Sequence, residues 1–200
     1  MFRFYKVLLI LLPAFFHMQA GASVSMETRV VFSAKEKEKT VRLSNTGNQP
    51  VFVQVWLDKG DVNEDVSTID LPFVLTPAIF RMEPGAAQVL RIMHTGEPLP
   101  SDKESLYWLN VLDVPPKPLV EEGQGSMQLA IRTRLKMMYR PQGLPETPET
   151  APDMLVWTVG VNERKQTVLK AKNPSAYVVN LAGIETVSYT HLTLPTTPYV

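Results

Sequence analysis

Any histidine-dependent catalysis by this chain of 200 residues would have to pass through His94. The other two histidines lie near the ends, His17 in an apolar leader and His191 in a terminal stretch unlike the rest. There is no cysteine, which removes disulfides, zinc-thiolate sites and cysteine nucleophiles. A Ser-His-Asp arrangement would need His94 itself, and no glycine-rich phosphate loop follows a strand. A lone histidine at the end of an apolar strand is ordinarily a solvated or satisfied structural group. No catalytic residue, metal site or cofactor is therefore expected. A second chemistry, sugar stacking on Trp56, Tyr107 and Trp108, would suit an exported binding module. Alternation sets Tyr107 and Trp108 on opposite faces of one strand, so the two cannot both be surface platforms.

Charge narrows the partners. Lys and Arg number 20 and Asp and Glu number 20, which leaves no polybasic arm for a nucleic acid and no acidic tail. With 44% hydrophobic and 20% charged residues, the chain has enough apolar surface to offset the entropy of folding. The first 22 residues read as a secretory signal peptide: Arg3 and Lys6, the apolar run Val7 to Phe16, then the small residues Ala20, Gly21 and Ala22. That run is shorter than the roughly 20 residues a bilayer span requires. An exported, soluble mature chain starting near Ser23 is expected.

The positioning elements are strands. Val24 to Phe32, Thr40 to Ser44, Val51 to Leu57, Ile79 to Met82, Gln88 to Met93, Leu106 to Val114 and Met127 to Tyr139 are rich in β-branched, aromatic and long aliphatic residues. Turn residues separate them, such as Asn45-Thr46-Gly47-Asn48, Asp58-Lys59-Gly60-Asp61 and Glu83-Pro84-Gly85. Within Val51 to Leu57 the odd positions are all aliphatic, a period-2 apolar face. Strands at about ten-residue spacing without helical periodicity predict an all-β chain, with an immunoglobulin-like sandwich over residues 23–140.

Residues 141–153 hold four prolines and read as a stiff linker. Beyond it, Leu155 to Val161, Gln166 to Ala171 and Tyr177 to Leu181 read as strands opening a second, incomplete β domain over 154–187. Residues 188–200 contain no charge and break the pattern, which suggests a non-native tail on a truncated second domain.

The seventh strand has a pattern of its own. Met127, Leu129 and Ile131 share one face, and Gln128, Ala130 and Arg132 share the other. Taken alone, this is an ordinary core-facing strand.

Five segments in order give the chain a family resemblance. They are Thr28-Arg29-Val30-Val31-Phe32, Arg81-Met82-Glu83-Pro84-Gly85, Lys103 to Asn110, Val114-Pro115-Pro116, and Leu135-Lys136-Met137-Met138-Tyr139-Arg140-Pro141. Asn173-Pro174-Ser175-Ala176-Tyr177 adds a sixth in the second domain. With them, the chain resembles the periplasmic pilus chaperones of the chaperone–usher class from about Ser23 to Ile184. The resemblance implies a periplasmic protein that stabilises pilus subunits by lending them a β-strand and delivers them to an outer-membrane usher. Chaperone–pilin pairing of this kind is an established instance of β-augmentation. The lent row would be Met127, Leu129 and Ile131. The resemblance further implies that Arg29 and Lys136 hold the subunit's terminal carboxylate. It also implies that Glu104 and Arg140 join an acidic residue of the second domain in an ionic network, that third partner being expected beyond the point where this sequence breaks off. The short connection from Pro115 to Gly125 is similar to that of the subclass serving rod-forming pili. The sequence leaves open whether the free chain self-associates through its exposed strand. The competing readings are the exported binding module, an adhesin or carbohydrate binder, and a hydrolase built on His94.

Overall fold

The computed structural model describes residues 23–117 and 127–185. Eleven strands follow one another: β1 (Val24–Ser25), β2 (Arg29–Ser33), β3 (Glu38–Asn45), β4 (Val51–Asp58), β5 (Phe73–Thr76), β6 (Ile79–Met82), β7 (Ala87–His94), β8 (Ser105–Val114), β9 (Ile131–Arg140), β10 (Val156–Val161) and β11 (Thr167–Lys172). Two single turns of 3-10 helix, Val66–Thr68 and Ala151–Met154, are the only helical elements among the described residues. The fold is the expected immunoglobulin-like sandwich. One sheet runs β1-β3-β7-β5, the other β2-β9-β8-β4-β6, and β10 with β11 forms a separate hairpin.

Alternation builds the core between the two large sheets. Val51, Val53, Val55 and Leu57 of β4 all point inward and are buried, while Phe52 between them is exposed. Val30 and Phe32 from β2, Val41 and Leu43 from β3, Leu90 and Ile92 from β7, Leu109 and Val111 from β8, and Leu135 and Met137 from β9 complete it. At one end the rings of Phe32, Phe73, Tyr107 and Tyr139 pack edge to face or tilted, with centroids 5.0 to 5.9 Å apart. Burial there pushes the Tyr107 phenol above its ordinary range, with the Tyr139 phenol adding to the effect.

Four expectations are corrected. The stretch Val24 to Phe32 is two strands: β1 pairs with β3 in one sheet and β2 pairs with β9 in the other. Val24, Val30 and Phe32 keep one parity and all face the same core, while Thr28 in the crossover between them is exposed. Strand β5, bracketed by Pro72 and Pro77, was not anticipated. The seventh expected strand begins at Ile131, with Met127 and Leu129 lying before it in irregular backbone and exposed. Tyr177 to Leu181 is not a strand, because its backbone is hydrogen-bonded to the first domain and to side chains instead of a ladder. The leader, most of the connection from Pro115 to Gly125 and the terminal tail fall outside the described residues.

Candidate functional site

The site is a strand edge that stops being open at a defined place. On one side β9 pairs with β8 along nearly its whole length, from Asp113 opposite Ile131 to Ser105 opposite Tyr139. On the other side it pairs with β2, in parallel, only from Lys136 (opposite Arg29) to Arg140 (opposite Ser33). Among the described residues, 131–135 have no ladder partner on that edge. An unpaired row of backbone donors and acceptors is a template for a further strand. Such a strand can run only as far as the first residues of β2.

At that join stand Arg29 and Lys136, direct neighbours across the ladder. They border a cleft of about 250 Å³ together with Thr28, Trp108, Arg134 and Asn180. Arg29 is exposed and Lys136 half-buried. The Lys136 Nζ donates to Asn180 Oδ1 at 2.6 Å and lies 5.7 Å from the centre of the Trp108 ring. Among the described residues neither cation is in an ion pair. An ammonium has three donors, so Asn180 leaves two of them to an incoming anion. Asn180 escaped the sequence reading because the segment carrying it was expected to be a strand.

A second group of side chains, also not anticipated, lies next to the open edge. Asp58 at the end of β4 is 0% exposed. Its Oδ1 accepts from Arg134 Nη2 at 2.6 Å and from the Gly60 amide at 2.7 Å. Its Oδ2 accepts from Asn110 Nδ2 at 2.7 Å and from Arg132 Nη2 at 3.3 Å. Asn110 Oδ1 in turn accepts from Nε of Arg132 and Arg134 at 2.9 and 3.1 Å. The two guanidinium groups lie over Trp56 and Trp108, each 4.8 Å from the ring centre. A buried carboxylate fully matched by donors is the arrangement that burial of charge demands. It also covers both tryptophans, while Tyr107 is buried in the core. Trp56, Tyr107 and Trp108 are thus engaged by the arginines or by the core.

The third group joins the two parts of the chain. Arg140 Nε donates to Glu104 Oε1 at 2.6 Å, and Oε2 of the same carboxylate accepts from the Val178 amide at 2.7 Å. The Glu104 amide donates to the Ala176 carbonyl at 2.8 Å, and the Arg140 guanidinium lies 5.3 Å from the centre of the Tyr177 ring. Glu104 and Arg140 thus meet the segment after β11 through the Val178 amide and the Tyr177 ring. His94 is half-buried, its ring centre 5.3 Å from that of Phe73 and 5.2 Å from that of Tyr139. Its Nε2 is buried with no hydrogen-bond partner among the described residues. No serine or carboxylate there is bonded to it.

With this geometry in hand, comparison with known proteins places the chain. The family described as pili and flagellar-assembly chaperone, PapD N-terminal domain, matches residues 22–145. The chaperone protein FimB/FhaD of Bordetella pertussis is 45% identical over 162 residues, covering 79% of this chain and 65% of that protein. The probable fimbrial chaperone YadV of Escherichia coli is 43% identical over 159 residues, covering 78% of this chain and 64% of its own length. The chain thus spans just under two thirds of these curated relatives. Among solved structures, that of the YadV chaperone superposes with a TM-score of 0.63 at 38% identity, covering 78% of this chain and 68% of the other. A complex of the Salmonella enterica SafA pilin with the SafB chaperone gives a TM-score of 0.67 at 32% identity, with 80% and 72% covered. Since the matched region takes in more than half of its residues, the chain belongs to the PapD-like family of pilus-assembly chaperones.

Proposed function

We propose that the chain is a periplasmic chaperone that captures pilus subunits on the open edge of β9, holds their terminal carboxylate between Arg29 and Lys136, and passes them to an outer-membrane usher. The observation that carries this reading is the shared edge of β9. Because β2 occupies that edge from Lys136 onward, an added strand must end there. A strand lying along 131–135 and finishing at Lys136 with its C-terminus runs parallel to β9, as β2 does. Its carboxylate then meets two cations, one able to bond it through a planar fork and one through a mobile ammonium. The pairing of a pilin with a SafB chaperone in a related structure supports a subunit as the partner.

The apolar row before and into β9 would fill the subunit's unfinished core. Met127 and Leu129 are exposed in the free chain and Ile131 is half-buried, so their burial is available to binding. Each large aliphatic side chain transferred from water contributes about 1.5–3 kcal/mol. Leu129→Asp is accordingly expected to weaken capture about tenfold to a hundredfold with the melting temperature of the free chain unchanged. Co-expression with a cognate pilin, followed by measurement of soluble pilin, tests the function itself. The reading predicts a pilin that stays soluble only when the chain is present, and a pilin equally soluble without it would contradict the reading.

A further inference from the structure

The donor pattern leaves one error uncorrected. A client strand shifted by one residue would turn its apolar row the wrong way, but a shift by two restores every side chain to its proper face. Apolar alternation therefore cannot reject a two-residue slip. Movement toward higher numbers is blocked by β2. Movement toward lower numbers would bring the client's carboxylate from Lys136 to Arg134, the next outward-facing cation on β9, about 6.6 Å back along the strand.

We propose that Asp58 is the device that sets register, by withdrawing Arg134, and Arg132 beyond it, from competition for the client's carboxylate. This rests on the carboxylate-anchor reading above. Both arginines already share one buried carboxylate: Nη2 of Arg134 is on Oδ1 and Nη2 of Arg132 on Oδ2. Their Nε groups are both engaged by Asn110, and Arg132 Nη1 donates to the Val62 carbonyl at 2.8 Å. A second carboxylate arriving at Arg134 would meet the charge of Asp58 as well as the arginine. Lys136 and Arg29, by contrast, have no acidic partner among the described residues, and Lys136 is met by the neutral Asn180 and the Trp108 ring. Three outward cations stand in a row at β-strand spacing, and among the described residues only the one beside β2 has no carboxylate partner.

The absence of native cysteine makes the register readable by cross-linking. Ala130→Cys places one thiol on the exposed residue just before β9, outside the donor row. The probe is a synthetic peptide of alternating valine and threonine with a free C-terminal carboxylate. Its cysteine sits either at the position facing residue 130 in the anchored register or two residues nearer its C-terminus. A disulfide tolerates a Cα separation of up to about 7 Å, so each peptide reports one register. With the network intact, the first peptide should cross-link at least about tenfold better than the second, since only one cation position is open to it. In Asp58→Asn the second should rise to within about threefold of the first, and adding Arg134→Gln should restore the original preference. An Asp58→Asn chain that keeps the tenfold preference overturns the proposal, as does a double variant that stays mixed. Should Asp58→Asn fail to fold, Lys136→Gln decides with Asp58 intact. Loss of cross-linking to both peptides is expected, and transfer to the second peptide would show that Arg134 is open and the proposal wrong. Amidated peptides separate the two levels. Equal cross-linking of the first peptide with and without its carboxylate would remove the anchor reading and this inference together. Dependence on the carboxylate with no slip in Asp58→Asn would remove this inference alone.

Discussion

Arg29→Ala or Lys136→Ala should each abolish practical capture of a pilin while leaving the sandwich folded. In the proposed complex the client's carboxylate would be withdrawn from water at the join of β2 and β9, so truncating one cation would leave the anion partly desolvated and under-bonded. Losses of this kind are about 2–5 kcal/mol, roughly thirtyfold or more in affinity. The fold is spared because Arg29 is exposed and neither cation is in an ion pair among the described residues. Titration calorimetry with a purified pilin, together with thermal unfolding of each variant, checks both halves. The conservative variant Arg29→Lys should retain only part of the affinity, because an ammonium cannot reproduce the two parallel bonds of a guanidinium. Full protection of the client by both alanine variants would refute the anchor.

Glu104→Ala should have the second large effect, on the join between the two parts of the chain. The Glu104 side chain is 1% exposed and its two oxygens serve Arg140 and the Val178 amide separately. Removing it leaves Arg140 without its counter-charge and the amide without an acceptor, a loss of about 3 kcal/mol. Amide exchange at Val178 should then accelerate about a hundredfold, and the segment that carries Asn180 should come away from Lys136. Glu104→Gln keeps an acceptor oxygen for the amide and should cost about 1 kcal/mol, the difference reflecting the lost charge. Unchanged exchange at Val178 in the alanine variant would mean that something other than this carboxylate holds the two parts together. In the proposed complex, anchoring of a client and attachment of the second part would meet at Lys136, which bonds Asn180. Loosening Glu104 should therefore also soften capture.

The architecture was legible where side-chain parity alone determines it. The aliphatic odd positions of β4 announced both a strand and its buried face. Parity says nothing about which sheet a strand belongs to, and that is why β1 and β2 read as one element although their backbones pair with different sheets. Strand β5 was hidden because four residues between two prolines carry too short an alternation to register. The candidate anchors Arg29 and Lys136 were found through motif resemblance, and the ladder puts them opposite each other. Nothing local marked Asp58. It sits in a turn-like Asp-Lys-Gly-Asp run, and its importance comes from Asn110, Arg132 and Arg134, which lie 52 to 76 residues away in sequence and meet it only once β4, β8 and β9 are aligned. Tyr177 to Leu181 carried strand-like residues, but the partners that won were the Glu104 carboxylate and the backbone of the first domain, contacts with no signature in local composition.

Recognition of the place where a partner polypeptide ends is probed by comparing two forms of one pilin C-terminal peptide, with a free carboxylate and with a carboxamide. They differ in a single charge, and charge-assisted hydrogen bonds are worth about 1.5–3 kcal/mol, so the amide should bind about tenfold to a hundredfold more weakly. That gap should vanish in Lys136→Ala. Equal affinity of the two peptides for the unaltered chain would contradict the account.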